Sequence, residues 1–168
     1  KKRLSEKGEW SLEQIPWCDE GFYIENIKSG RRDVGNMLEH TLGYIYVQEA
    51  VSMIPPLALN PKHGEIVLDM CAAPGSKSTQ MAAMMKNTGL LIANDYKGDR
   101  IKSLGINLQR CGVSNSIITL MQGHRFAAAG INFDKILVDA PCSGTGTIRK
   151  SLKTLRMWNM EGIKKLAS

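Results

Sequence analysis

The sequence predicts a doubly wound α/β domain built on a parallel sheet with helices on both faces, and three observations carry that prediction. Apolar runs of strand length recur at 65–70, 90–94, 116–120 and 135–139. Helix-patterned stretches at 77–86 and 98–111 separate the first three of them, the alternation expected of parallel βαβ units. The residues that follow these runs are also of the kind that bind ligands: Asp69 with the loop 71–77, Asn94-Asp95, Gln122, and Asp139 followed by Pro141-Cys142. In a sheet of this kind ligands sit beyond the carboxyl ends of the strands.

Taken in order, residues 1–40 form a mixed N-terminal region with a short strand expected at Gly21-Phe22-Tyr23-Ile24 and a polar, glycine-containing connector from Lys28 to Gly35. From Tyr44 to Met53 the apolar spacing suits a helix, with Pro55-Pro56 as its stop. The regular alternation of strand and helix then occupies the rest of a second region, 41–168. No repeat or low-complexity tract interrupts it.

The chain has 168 residues, enough for one hydrophobic core. No apolar run approaches the roughly 20 residues of a membrane span, and Lys1-Lys2-Arg3 leads into polar residues rather than a signal-peptide core. A cytoplasmic, monomeric protein without membrane attachment is expected. Cys18, Cys71, Cys111 and Cys142 lie far apart with no C-x-x-C pair, so neither a metal site nor a disulfide framework is expected. Net charge is +6, and basic residues cluster at Lys1-Lys2-Arg3, Arg31-Arg32, Arg149-Lys150 with Lys153 and Arg156, and Lys164-Lys165. Clustering of this kind suits a polyanionic partner, although solvated surface charge explains it equally well.

The stretch DMCAAPGSKS, Asp69 to Ser78, carries the strongest local signal. Comparison with the phosphate loop G-x-x-x-x-G-K-[ST] fails, because alignment on Lys77 puts Cys71 and Ser76 at the glycine positions. Gly75 is expected to let backbone approach a ligand closely. Asp95, 20 residues further on, stands where an acid accepts hydrogen bonds from ribose hydroxyls. At the fourth strand end, in DAPCSGTG, Pro141 stiffens the turn while Gly144 and Gly146 leave Cys142 open. On residue chemistry alone, Cys142 is the candidate nucleophile.

Together DMCAAPGSKS, ANDYKGDR (Ala93 to Arg100), FDKILVDAPCSGTG (Phe133 to Gly146) and LGYIYVQEAVSMIPPLAL (Leu42 to Leu59) closely resemble the Nop/Sun family of S-adenosylmethionine-dependent RNA cytosine-5 methyltransferases, with the archaeal branch nearest. The resemblance covers about residues 36–168 and implies a Rossmann-like class I methyltransferase fold, with 1–40 as a remnant of a small RNA-binding domain. By resemblance, Cys71, Ala72, Ala73, Pro74, Gly75, Ser76 and Lys77 would wrap the methionine part of the cofactor. Asp95 would hold the ribose, with Arg100 supporting that side. Asp139 would serve both the cofactor and the polar edge of a flipped cytosine, with Lys77 near the base. The family usually has Asp at the end of the third strand, near the adenine amino group; here Gln122 stands in its place, an acceptor without charge.

The implied chemistry adds a thiolate to C6 of cytosine, which makes C5 nucleophilic enough to take the sulfonium methyl; a base then removes the C5 proton. In the family the attacking thiol belongs to a Thr-Cys motif on the next strand, and the Pro-Cys residue, here Cys142, assists product release. No Thr-Cys pair occurs in this sequence. The expectation is therefore of a chain lacking the C-terminal part of the sheet, with an open edge prone to pairing, and catalytically inactive by itself. Transfer RNA is the first expected substrate and ribosomal RNA the second. Two other classes are weighed beside this one. A non-catalytic module binding S-adenosylmethionine or RNA is compatible with the missing motif, whereas a dinucleotide oxidoreductase would require a G-x-G-x-x-G that is absent.

Overall fold

The computed structural model describes residues 2–6, 9–28, 34–144, 146, 152, 154, 156 and 158–167. It divides into two compact units, Lys1–Val138 and Asp139–Ser168.

The first unit opens with a short helix α1 (Lys2–Glu6) and an antiparallel pair, β1 (Trp10–Gln14) and β2 (Phe22–Asn26). The Gln14 amide closes the connection between the two strands by donating to the carbonyls of Cys18, Asp19 and Gly21 at 2.7, 3.0 and 2.8 Å. Ile15 and Cys18, buried in this connection, pack on Met53, Ala50 and Leu57. The hairpin is thereby anchored to the segment that leads into the main sheet.

The expected helix over Tyr44–Met53 is not formed. A short helix α2 (Leu38–Thr41) is followed by extended backbone, then a 3-10 turn at Ala50–Met53 that runs into α3 (Ile54–Leu59). Pro55 and Pro56 lie in the first turn of α3 and so begin a helix instead of ending one. The physical reason is that proline's fixed φ suits the first turn, where its missing N–H would have had no partner.

The main sheet has the order β5-β4-β3-β6 and is parallel throughout. Its strands are β3 (Ile66–Asp69), β4 (Leu90–Asp95), β5 (Ser116–Leu120) and β6 (Lys135–Leu137). All but β6 match the expected runs to within one residue. β6 ends two residues short of Asp139, so that acid lies beyond the strand. The chain moves outward from β3 through β4 to β5 and then returns to the opposite side of β3. That reversal makes β3 the topological switch point, the place at which sheets of this kind bind their ligands.

Strand alternation divides the core. Val67, Leu91 and Leu137 pack on Met81, Ala82 and Met85 of α4 (Ser76–Met84) and its C-terminal end, and Ala93 packs on Leu104 and Leu108 of α5 (Gly98–Arg110). Leu68 and Ile92 point the other way and meet Phe126, which sits in a 3-10 segment, Gly123–Ala128. Phe126 in turn contacts Phe133 edge-on, with ring centroids 6.0 Å apart. The central strands β3 and β4 are apolar up to their polar carboxyl ends because both of their faces are covered, while the edge strand β5 leaves Ile117, Ile118 and Leu120 exposed. No helix among the described residues is long and apolar enough to cross a membrane. The second unit contains α6 (Met160–Ala167).

Candidate functional site

The loop after β3 turns sharply into α4. Gly75 is the residue preceding that helix; its φ is +107°, a region that side-chain-bearing residues avoid. Its carbonyl accepts the N–H of Thr79, and its own N–H bonds Ala72. A Cβ on Gly75 would lie 3.1 Å from Leu104 Cδ1. The side left open by this glycine faces α5 and allows loop and helix to pack closely.

The loop and the end of β4 are locked together. The N–H of Ala72 donates to the Asn94 carbonyl at 2.7 Å, and Asn107 Nδ2 donates to the Pro74 carbonyl at 2.9 Å. Arg100 donates to the Ala73 carbonyl and also lies 3.1 Å from Asp95 Oδ2. Asp95 is 1% exposed, and its Oδ1 accepts the Lys97 N–H at 3.0 Å. Its Oδ2 is ion-paired with Arg100 yet makes no aligned hydrogen bond, because the guanidinium meets it off the N–H direction. A buried, charged acceptor therefore retains unused hydrogen-bonding capacity beside the loop.

Two buried polar residues hold the strand ends. Asp69 is 1% exposed and accepts the Ser78 hydroxyl at 2.7 Å, joining β3 to the first turn of α4. Asn94, also 1% exposed, donates to the carbonyls of Met70 and Met121 at 2.9 and 3.0 Å and accepts from Thr119 Oγ1 and Met121 N at 2.9 and 3.1 Å. One side chain thereby ties the ends of three strands. The sequence placed Asn94 at a strand end, but not its part in tying neighbouring strands together.

A further cluster docks the 38–46 segment on the end of α5. Gly43 adopts φ +76° and passes so close to the Arg110 carbonyl that a Cβ would come within 1.7 Å of it. Arg110 Nη1 donates to the carbonyls of His40 and Ile45, at 2.5 and 3.2 Å, while its guanidinium lies 5.4 Å from the centre of the Tyr46 ring. Burial, reinforced by the Arg110 charge, holds His40 below the usual imidazole range. Burial pushes the Tyr46 hydroxyl and the Cys111 thiol up, against the opposing pull of Arg110. A separate cavity of about 390 Å³ lies between the N-terminal hairpin and α4, with Leu12, Tyr46, Gln48, Met53 and Gln80 in its wall.

Of the site residues expected from sequence, Cys71, Ala72, Ala73, Pro74, Gly75, Ser76 and Lys77 form one turn, with Asp95 and Arg100 against it. Lys77 is half-buried in the first turn of α4. Gln122 is exposed, follows Met121 directly, and starts the 3-10 segment with its carbonyl bonded to the Arg125 N–H. Asp139 and Cys142 belong to the second unit, where both are exposed. Of the basic clusters, Lys1, Arg31, Arg32, Arg149, Lys150 and Lys153 lie outside the described residues.

Residues 56–167 match the family described as 16S rRNA methyltransferase RsmB/F, and residues 1–50 match the N-terminal domain of 16S rRNA methyltransferase RsmF. Ribosomal RNA small subunit methyltransferase F of Pectobacterium carotovorum subsp. carotovorum is 47% identical over 169 residues, covering 99% of this chain and 35% of that protein. The protein of the same name from Aliivibrio salmonicida is 48% identical, covering 97% and 35%. The chain thus spans about a third of the length of these relatives. Among solved structures, a methyltransferase homolog protein from Pyrococcus horikoshii is 41% identical with a TM-score of 0.79, over 92% of this chain and 50% of that one. NSun6 from Pyrococcus horikoshii with SFG is 31% identical with a TM-score of 0.74, over 88% and 38%.

Proposed function

Since the chain belongs to the 16S rRNA methyltransferase RsmB/F family, we propose that it forms the cofactor-holding part of an enzyme that transfers a methyl group from S-adenosylmethionine to C5 of a cytosine in ribosomal RNA. Ribosomal RNA replaces transfer RNA as the first choice, because the family description and the relatives' names both refer to it.

Asp95 carries the reading. A carboxylate buried at the end of the strand next to the switch point, with one oxygen lacking an aligned hydrogen bond, fits a pair of ribose hydroxyls. The rest of the site fits the same cofactor. The turn 71–77 would enclose the methionine part, and Arg100 would hold that turn against Asp95. Lys77, a cation in the first turn of a helix, stands against the helix dipole, which favours an anionic group nearby. Gln122 would accept from the adenine amino group. When bound, the cofactor supplies an electrophilic methyl group. Asp139 and Lys77 would orient the target base, and Cys142 would assist release of the methylated product. The attacking thiol would come from a cysteine outside these 168 residues.

The N-terminal pair β1–β2, which forms a sheet of its own, supports treating residues 1–40 as an RNA-contacting region distinct from the cofactor core 41–168. A monomer acting on ribosomal RNA in the cytoplasm completes the proposal. Calorimetry on the full-length protein tests it, with S-adenosylmethionine and NAD as alternative ligands. S-adenosylmethionine should bind, and Asp95→Ala should weaken it by about 1.5–3 kcal/mol through loss of a charged acceptor. Binding of NAD alone, or an Asp95→Ala variant of unchanged affinity, would remove the basis of the assignment.

A further inference from the structure

Three residues on one face of α5 hold three consecutive residues of the loop. Arg100 bonds the Ala73 carbonyl, Asn107 bonds the Pro74 carbonyl, and Leu104 fills the space beside Gly75. Their spacing of four and then three residues is the one that stacks side chains along a single helical stripe. Of the three, Asn107 has the most constrained chemistry. Its Oδ1 accepts Arg110 Nη2 at 3.2 Å, and a guanidinium can only donate. The amide cannot flip without losing that bond, so Nδ2 is kept toward Pro74, with Tyr46 Oη at 3.4 Å. Arg110 is itself fixed by the carbonyls of His40 and Ile45. A continuous chain of contacts therefore runs from the 40–46 segment through Arg110 and Asn107 to the loop.

We propose that Asn107 is a positioning residue for the cofactor loop: oriented by Arg110, its amide N–H sets the Pro74 carbonyl and so the turn that receives the ligand. The proposal rests on the reading of 71–77 as a cofactor loop. Asn107 does not touch the ligand under this reading; it acts through Pro74. A substitution that keeps its size and its acceptor but removes its donor should therefore damage ligand binding without damaging the fold. Asn107→Asp is that substitution, because its carboxylate still pairs with Arg110 while it confronts the Pro74 carbonyl with a second acceptor.

The test measures S-adenosylhomocysteine binding by calorimetry, and ligand-free thermal unfolding, for full-length wild type, Asn107→Asp and Asn107→Ala. Asn107→Asp should bind about tenfold more weakly, the loss of roughly one well-made hydrogen bond, with its ligand-free unfolding temperature close to that of wild type. In steady-state assays its KM for S-adenosylmethionine should rise by the same factor while kcat stays within about twofold, since the reacting groups are untouched. Wild-type affinity in Asn107→Asp overturns the proposal. So does a pattern in which affinity falls only in step with unfolding temperature in both variants, which would make Asn107 a packing residue. A folded wild-type protein that fails to bind S-adenosylhomocysteine at all overturns the cofactor reading itself.

Discussion

Asn94→Ala is the most informative perturbation of the fold at the site. The substitution deletes four hydrogen bonds, to Met70 O, Met121 O, Thr119 Oγ1 and Met121 N, from a side chain that is 1% exposed. Their losses differ. The Met121 N–H keeps a second acceptor in the Asp95 carbonyl at 3.2 Å, and the Thr119 hydroxyl is half-buried, within reach of water. The Met70 and Met121 carbonyls lose their donor, at about 1–3 kcal/mol for each buried group left unsatisfied. Two such losses, with the smaller contributions of the other bonds, come to about 3–5 kcal/mol. That is a large share of the roughly 5–15 kcal/mol by which a domain is stable. Urea unfolding followed by tryptophan fluorescence should show a lower midpoint at unchanged slope. Thr119→Val, which removes one of the four bonds, should cost about 1 kcal/mol. A loss below about 1 kcal/mol in Asn94→Ala would refute the view that one amide secures the three strand ends.

Gly75→Ala should cost about 1–2 kcal/mol for the left-handed backbone alone, with more from the contact at Leu104 Cδ1, and Leu104→Ala in the same chain should recover only the contact part; full recovery in a denaturation series would show that the backbone is unstrained. Cys142→Ala in the full-length enzyme should accumulate a covalent protein–RNA complex, seen as a slow-migrating band on denaturing gels, because attack proceeds and release stalls. Absence of that band in a folded variant would return the nucleophile's role to Cys142. With iodoacetamide near pH 8, exposed Cys142 should be alkylated well before Cys111, which is half-buried with its thiol pKa raised by that burial. Peptide mass mapping of a brief reaction reads the order directly, and equal rates would contradict the burial of Cys111.

Much of the fold could be read from the sequence because its signals are periodic. The fully buried strands β3 and β4 announce themselves as unbroken apolar runs, and the loop between β3 and α4 as a cluster of small residues with a glycine. What escaped reading is aperiodic. Pro55-Pro56 has the same composition whether it follows a helix or begins one, and the structure places it in the first turn of α3, where a missing N–H costs nothing. Gly75 was legible as a glycine the loop requires, but its positive φ and its packing on Leu104, a neighbour 29 positions later in the chain, were not. Asn107 and Arg110 act through partners distant in sequence, such as Pro74 and Ile45, so no local pattern marks them. The two strand-end acids are alike in burial but hold different turns: Asp69 accepts the Ser78 hydroxyl and Asp95 accepts the Lys97 N–H.

The loop 71–77 grows out of β3, one of the two strands bonded to a neighbour on each side, and it is stitched to the other, β4, by the Ala72–Asn94 contact. Loosening the root of such a loop disturbs the centre of the sheet. Free energy gained by a ligand there is therefore carried into the stability of the unit as a whole, as RT ln(1 + [L]/Kd), about 2.7 kcal/mol when ligand stands at a hundred times its dissociation constant. Amide exchange at Leu68 and Ile92 should slow with ligand concentration as the global unfolding rate does, while the edge strands β5 and β6 respond less. Ligand occupancy at this turn and resistance of the first unit to proteolysis would then rise and fall together.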